Sequence, residues 1–336
     1  MTTNPNFGKL IDVHCHVIPE SFPDNPSPER NTRWPCLNIT PQSASLIIDG
    51  KPFRDVDARS WNIARRIEDM DRDGVAVQVL SPLPELLSYW FEDVDALAMC
   101  DHVNAVIARM VAQHPNRFRG LGLVPLQNPE LASRYLECIK TEFGFSGIEI
   151  GSNINGVPLG DARFEPVYAA AEAQSLAIFV HALHPVATKA IGADPGFTAL
   201  AGFPLDTGMA AASILLSGVV ERFPKLRLGF SHGGGTIGSM LGRLDKGFVL
   251  TNAYGGKLVR KPSELARELF YDSNVYDGDF LRHIVRHTAP DRVFLGTDYP
   301  FALMQTEPFD YLNRCQLTAP ELAGICFGAA GKFLGS

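Results

Sequence analysis

Short, continuous apolar runs recur along the chain, and most are followed by a stretch whose apolar positions fall three or four apart. The first run, Ile11-Asp12-Val13-His14-Cys15-His16, alternates apolar and polar residues, and Pro19 ends it soon afterwards. Strand-like runs then appear at 75–80, 118–126, 147–151, 176–181, 226–232, 269–275 and 293–298. Helical spacing fills 64–73, where Gly74 is a natural stop, and then 95–113, 129–143, 164–174, 207–223, 236–249, 279–288 and 319–334. Runs that are apolar throughout suit parallel strands covered on both faces. Eight such units in succession predict an α/β protein built as a closed (β/α)8 TIM barrel. An open doubly wound sheet is the rival, and it would normally use fewer strands.

Residues 17–62 break the rhythm. They are rich in Pro, Asn, Asp and Ser, and Leu46-Ile47-Ile48 followed by Asp49-Gly50 reads as a small hairpin. With no repeat, low-complexity tract or linker, residues 1–336 read as one barrel domain with an insertion after its first strand.

Composition narrows the classes. A hydrophobic share of 46% against 20% charged residues supports a sizeable core. A net charge of −7 disfavours nucleic acid and anionic membrane as partners, yet leaves room for an anionic substrate met by local arginines. Six scattered cysteines, none in a Cys-x-x-Cys pair, fit a reducing compartment. The start Met-Thr-Thr-Asn-Pro-Asn lacks the features of a signal peptide, and no uninterrupted apolar run reaches membrane-spanning length. A cytoplasmic enzyme is the expectation.

In such barrels the chemistry sits where strands end and the following loops begin. His14 and His16, two apart on a strand, share a face with Cα atoms roughly 6.5–7 Å apart. Strand five ends in His181, strand six runs into Ser231-His232-Gly233-Gly234-Gly235, and strand eight ends in Gly296-Thr297-Asp298-Tyr299-Pro300. His14, His16, His181 and Asp298 make a nitrogen/oxygen set for one Zn²⁺ or a similar divalent ion with room for water. His232 is then left over, and an imidazole beside an ion suits proton transfer. His184, three residues past His181 on a loop at the mouth, is a candidate to touch substrate. Taken singly, His181 and His232 would read as core histidines and Asp298 as a helix N-cap. Five such residues ending four separate strands argue jointly for a metal site.

The same region holds a competing motif. Gly229-Phe230-Ser231-His232-Gly233 fits the Gly-x-Ser-x-Gly nucleophile elbow. A hydrolase of that kind needs an acid and then a histidine downstream, but no histidine follows Asp298. Only Asp272, Asp277 or Asp279 with His283 or His287 would serve, and those histidines sit mid-helix, so the match reads as accidental. His102, His114, His283 and His287 read as surface residues.

The set His-x-His, strand-five His, His-Gly-Gly-Gly and Gly-Thr-Asp-Tyr-Pro-Phe, in this order, resembles the amidohydrolase superfamily. More closely, it resembles the branch of 2-amino-3-carboxymuconate 6-semialdehyde decarboxylase. The likeness runs nearly end to end and includes 49–54 (Asp-Gly-Lys-Pro-Phe-Arg), 66–71, 166–172 and Leu241-Gly242-Arg243. It implies a distorted (β/α)8 TIM barrel with one Zn²⁺ on His14, His16, His181 and Asp298, and with His232 as acid/base. It further implies that Arg54 holds a substrate carboxylate, that Phe301 lies against the substrate, and that Arg243 is donated across a homodimer interface. Strand four carries Ile148-Glu149-Ile150 and no lysine, which excludes a carbamylated-lysine binuclear site.

Some positions depart from the branch. Ala182-Leu183-His184-Pro185 replaces Pro-Trp-Asp after the strand-five histidine, and an expected tryptophan is absent, with Phe197 the nearest substitute. Ala329 stands where Asn is usual. The resulting expectation is a metal-dependent, non-oxidative decarboxylase of a small unsaturated or aromatic carboxylic acid. The alternatives are a hydrolase or hydratase of a ring-fission product using the same metal-activated water, and a non-catalytic metal-stabilised binding protein.

Overall fold

The computed structural model describes residues 9–40, 44–250 and 258–335. The N-terminal stretch considered for a signal peptide and residues 41–43 of the insertion lie outside the described residues. The chain begins with β1 (Leu10–Val17), followed by β2 (Cys36–Ile39), β3 (Ala44–Ile48) and β4 (Lys51–Val56). It continues through β5 (Val75–Pro82), β6 (Phe118–Gly122), β7 (Gly147–Gly151), and the tiny β8 (Asn153–Ile154) and β9 (Val157–Pro158). The last strands are β10 (Ala177–His181), β11 (Arg227–Phe230), β12 (Phe270–Asp272) and β13 (Val293–Phe294).

Eight of these form one parallel sheet in the order β1-β5-β6-β7-β10-β11-β12-β13. The sheet closes on itself through bridges from Asp12 to Leu295 and from Cys15 to Tyr299. Val13 N–H donates to Leu295 O at 2.9 Å and His16 N–H to Tyr299 O at 2.7 Å. The Asp12 carboxylate fastens the seam by accepting the Thr297 hydroxyl at 2.6 Å and its amide at 3.1 Å. The barrel is therefore a distorted (β/α)8 TIM barrel whose seam rests on isolated bridges rather than a full ladder.

Residues two apart on a strand share a face, so the residues below the polar strand ends form a floor. Phe179 and Phe270 stand two residues before His181 and Asp272. They join Val13, Val79, Leu121 and Phe294 in an apolar cluster separate from the main core. The C-terminal helix Ala329–Leu334 drives Phe333 against Phe270 and Phe294, with ring centroids 5.3 and 5.0 Å apart.

Helix boundaries follow local chemistry. The helix Ile63–Asp73 starts where the Asn62 side chain accepts the Arg65 amide, and it ends at Gly74 with φ 74°. The hairpin read at 46–50 is present as β3-β4, turning at Asp49-Gly50, and β2 extends it to a three-stranded antiparallel meander. One expectation needs correction. The helix read at 207–223 begins earlier, as Phe203–Ser217, and breaks at Gly218, whose φ of 78° reverses the chain. The continuous helical stretch Pro195–Ser217 is long and apolar enough to cross a membrane by length and composition, although Asp206 interrupts its apolar run. Half of its most apolar window is buried inside the protein. Asp206 within it caps the 152–153 and 186 loops, bonding Ser152, Asn153 and the Val186 amide.

Candidate metal centre

Four side chains from three strand ends meet at the barrel mouth. One donor atom from each of His14, His16, His181 and Asp298 lies within 4.8 Å of all the others. His14 Nε2 is 3.1 Å from His16 Nε2, and Asp298 Oδ1 is 3.4 and 3.1 Å from those same atoms.

The outward ring nitrogens explain why these four fit a cation. His14 Nδ1 faces Asp272 Oδ2 at 2.6 Å, His16 Nδ1 faces Pro82 O at 2.9 Å, and His181 Nδ1 faces Ala182 O at 2.8 Å. A carbonyl can only accept, so His16 and His181 carry their proton on Nδ1 and present a bare Nε2 lone pair inward. His181 Nε2 is buried with no hydrogen-bond partner among the described residues. Converging lone pairs beside a carboxylate repel one another until a positive charge sits between them. These donors suit Zn²⁺ and other divalent transition metals.

The electrostatics show the same tension. Burial drives the His181 imidazole well below its usual range, and the neighbouring His16 and His14 add to the effect. Burial also lowers His14, but its hydrogen bonds to Asp272 and Asp298 outweigh that and push it up to about 10. Burial alone would raise Asp298, yet His14 and His16 hold it well below the carboxylate range.

His232 stands beside this group, its ring centroid 5.5 Å from His14 and 5.2 Å from His181. Its backbone is left-handed, with φ 54°, as is that of Asp298 with φ 64°. Non-glycine residues adopt this region at a cost that surrounding structure must hold in place. The glycines after His232 are required by space. A Cβ on Gly235 would lie 1.9 Å from Pro204 O, and one on Gly233 would lie 2.3 Å from Val275. Ser231 Oγ sits 3.2 Å from its own neighbour His232 Nδ1 and is fully buried, so the elbow-like motif is a turn that aims His232.

The rim carries the remaining candidates. Phe301 packs 5.2 Å from the His16 ring, and the Arg54 guanidinium lies 4.6 Å over Phe301. Burial lowers the Arg54 pKa, offset in part by Asp298 and Glu85. Arg54 has no hydrogen-bonded acceptor among the described residues. His184 Nε2 contacts Glu85 Oε2 at 2.9 Å and its ring stacks on Trp90, over which the Arg33 guanidinium also lies at 3.8 Å. Arg243 is exposed on the helix Ile237–Leu250 and is not brought to the site within this chain. Phe197 is also exposed. His114, His283 and His287 are exposed as read, whereas His102 is partly buried with Nε2 2.7 Å from Ser21 O.

Two participants escaped the sequence reading. Asp272 was weighed only as a partner in the hydrolase alternative. It fixes His14 and accepts the Gly233 and Asn274 amides at 2.7 and 3.1 Å. Its place at the end of the seventh barrel strand was the available signal. Glu149 was noted only as not being lysine, and it is fully buried with Oε2 3.8 Å from His16 Nδ1.

The chain is similar to known proteins along nearly its whole length. The amidohydrolase family Amidohydro_2 matches residues 11–336. A 2-amino-3-carboxymuconate-6-semialdehyde decarboxylase from Dictyostelium discoideum is 33% identical over 339 residues, covering 97% of this chain and 91% of that protein. The crystal structure of 5-carboxyvanillate decarboxylase from Sphingomonas paucimobilis superposes with a TM-score of 0.82 at 26% identity, covering 97% of this chain and 99% of the other. A dihydroxybenzoic acid decarboxylase from a Polaromonas species, solved with manganese and the inhibitor 2-nitroresorcinol, shares the fold with a TM-score of 0.75. It is 21% identical, covering 97% of this chain and 96% of that one. The chain belongs to the amidohydrolase family Amidohydro_2, in the branch of 2-amino-3-carboxymuconate-6-semialdehyde decarboxylase, and is a metal-dependent, non-oxidative carboxy-lyase.

Proposed function

We propose that the chain removes CO₂ from a small unsaturated or aromatic carboxylic acid of the 2-amino-3-carboxymuconate 6-semialdehyde or hydroxybenzoate kind. The resident ion is Zn²⁺, held by Nε2 of His14, His16 and His181 and by the Asp298 carboxylate. The observation that carries this reading is the inward set of donors, with His16 and His181 keeping their protons on outward bonds to backbone carbonyls. When bound, the ion supplies a positive charge that binds and polarises substrate oxygens.

The chain's own groups do the rest. Arg54, without an acceptor of its own, grips a substrate carboxylate in fork geometry. Phe301 gives a flat face to a planar substrate, and His184 contacts it from the mouth. Asp298 orients the reacting group beside His14 and His16. The bond from carbon to the departing carboxylate breaks, and its electron pair stays on carbon. His232 delivers a proton there, so the substrate loses CO₂ and gains H⁺ with no oxidant needed. Arg243, exposed on its own chain, serves the site of a second copy in a homodimer. The six cysteines are all free, which supports a cytoplasmic setting.

The test is a screen of carboxymuconate semialdehydes and hydroxybenzoates monitored for CO₂. Stoichiometric CO₂ from one of them is expected. Water addition or bond hydrolysis without CO₂ would overturn the reading in favour of a hydratase or hydrolase. Elemental analysis of protein as purified is expected to find about one zinc per chain, and manganese alone would refute the choice of ion.

A further inference from the structure

Glu149 sits at the centre of β7 between two buried isoleucines, and its side chain is fully buried. Neither carboxylate oxygen has a hydrogen-bond partner among the described residues. The nearby donors are engaged elsewhere. Ser81 Oγ donates to Cys15 O at 3.1 Å, and His16 Nδ1 to Pro82 O at 2.9 Å. The buried Arg66 gives its guanidinium to Gln78 Oε1 at 3.0 Å and His16 O at 2.6 Å. A buried carboxylate left this way is costly unless a positive charge lies close by. The nearest ring is that of His16, at 3.8 Å, on the side facing away from the four converging donors.

Three neutral imidazoles and the Asp298 carboxylate leave a divalent ion with one positive charge unmatched among its ligands, and outside them Asp272 stands 2.6 Å behind His14. We propose that Glu149, like Asp272 behind His14, supplies negative charge from behind His16, so that it raises the affinity of the site for its divalent ion without being a ligand. This rests on the metal-centre reading above. Glu149 acts through His16 and is a positioning residue. Its carboxylate is outside the group of four donors that could grip one ion. The same charge that strengthens the loaded site burdens the metal-free barrel.

Metal-stripped wild type, Glu149→Gln and His16→Ala are titrated with Zn²⁺ and with Mn²⁺ against a chromophoric chelator, and thermal midpoints are recorded with and without ion. Glu149→Gln is expected to bind one ion with about 10–100-fold weaker affinity. Its metal-free midpoint is expected to equal or exceed that of wild type, so the stabilisation gained on loading shrinks. A merely structural glutamate gives the opposite pattern: affinity within about twofold of wild type and a lower metal-free midpoint. Either result overturns the inference, as does a Glu149→Gln protein that fails to fold. Wild type that takes up no ion sensitive to His16→Ala would remove the metal-centre reading and this inference together. Ion uptake that Glu149→Gln leaves unchanged would remove this inference alone.

Discussion

His14, His16 and His181 each have an outer ring nitrogen held by a carboxylate or backbone carbonyl, whereas Arg54 and Arg243 have no ion-pair partner among the described residues. The first group stands on strand ends of the closed barrel. The second stands on the antiparallel meander and on the exposed face of a helix. Barrel backbone fixes these side chains to within a hydrogen bond, so one chain brings together all four donors that could hold an ion. The meander and the helix leave their cations without an ion-pair partner among the described residues, and under the proposed function a substrate carboxylate and a second copy would complete them.

The largest expected effects test the strand-end group. His16→Ala and Asp298→Ala should each lose the ion, taking metal content from about one per chain to near zero and turnover to background. Elemental analysis alongside CO₂ release checks this, and retention of a full equivalent of metal by either variant would break the comparison. His232→Ala should lower kcat by about 10²–10⁴-fold while the ion stays bound. Metal loss in that variant would place His232 among the ligands instead.

The barrel and the strand-end residues that converge at its mouth were legible because the strands and their faces follow short-range rules. Apolar runs followed by helical spacing give strand–helix units, and 147–151 matches β7 residue for residue. His14-x-His16 must share a face, whatever the loops do. What escaped notice depends on closure across the barrel. Asp272 touches His14 across 258 residues of sequence, and no local pattern marks that contact. Glu149 looks like any acidic interruption of an apolar strand until its neighbours are placed. The continuous helical stretch starts at Pro195 rather than at 207, because Pro195, Gly196, Gly202 and Pro204 interrupt a spacing count.

Smaller effects sharpen the boundary between the two regions. Arg54→Ala should lower kcat/KM by about 10–100-fold, the scale of a charged hydrogen bond, with metal content unchanged. Arg54→Lys should recover little of this, because an ammonium cannot form the fork. Equal loss with a substrate analogue lacking the gripped carboxylate would show that Arg54 acts otherwise. Asp272→Asn should weaken metal affinity by about 10–100-fold through a misoriented His14, measured by chelator competition. An unchanged affinity would mean that the barrel wall alone aims that ring.

The subtlest prediction concerns Arg243, because its effect depends on which chain it serves. Arg243→Ala and Arg54→Ala should each be impaired alone, so their mixture distinguishes donation across an interface from action within one chain. In a mixed dimer, the protomer bearing Arg243→Ala keeps its own Arg54 and receives an intact Arg243 from its partner, so that site is whole. The other site lacks both arginines. Random reassortment makes half the dimers mixed, with one good site in two, so about a quarter of wild-type activity should return. Had Arg243 served its own chain, every site in the mixture would lack one arginine and nothing would be regained. The same holds for a monomer. Recovery after mixing, read as CO₂ release against the two unmixed variants, therefore decides whether the open rim of this barrel is finished by its own polypeptide or by a second copy.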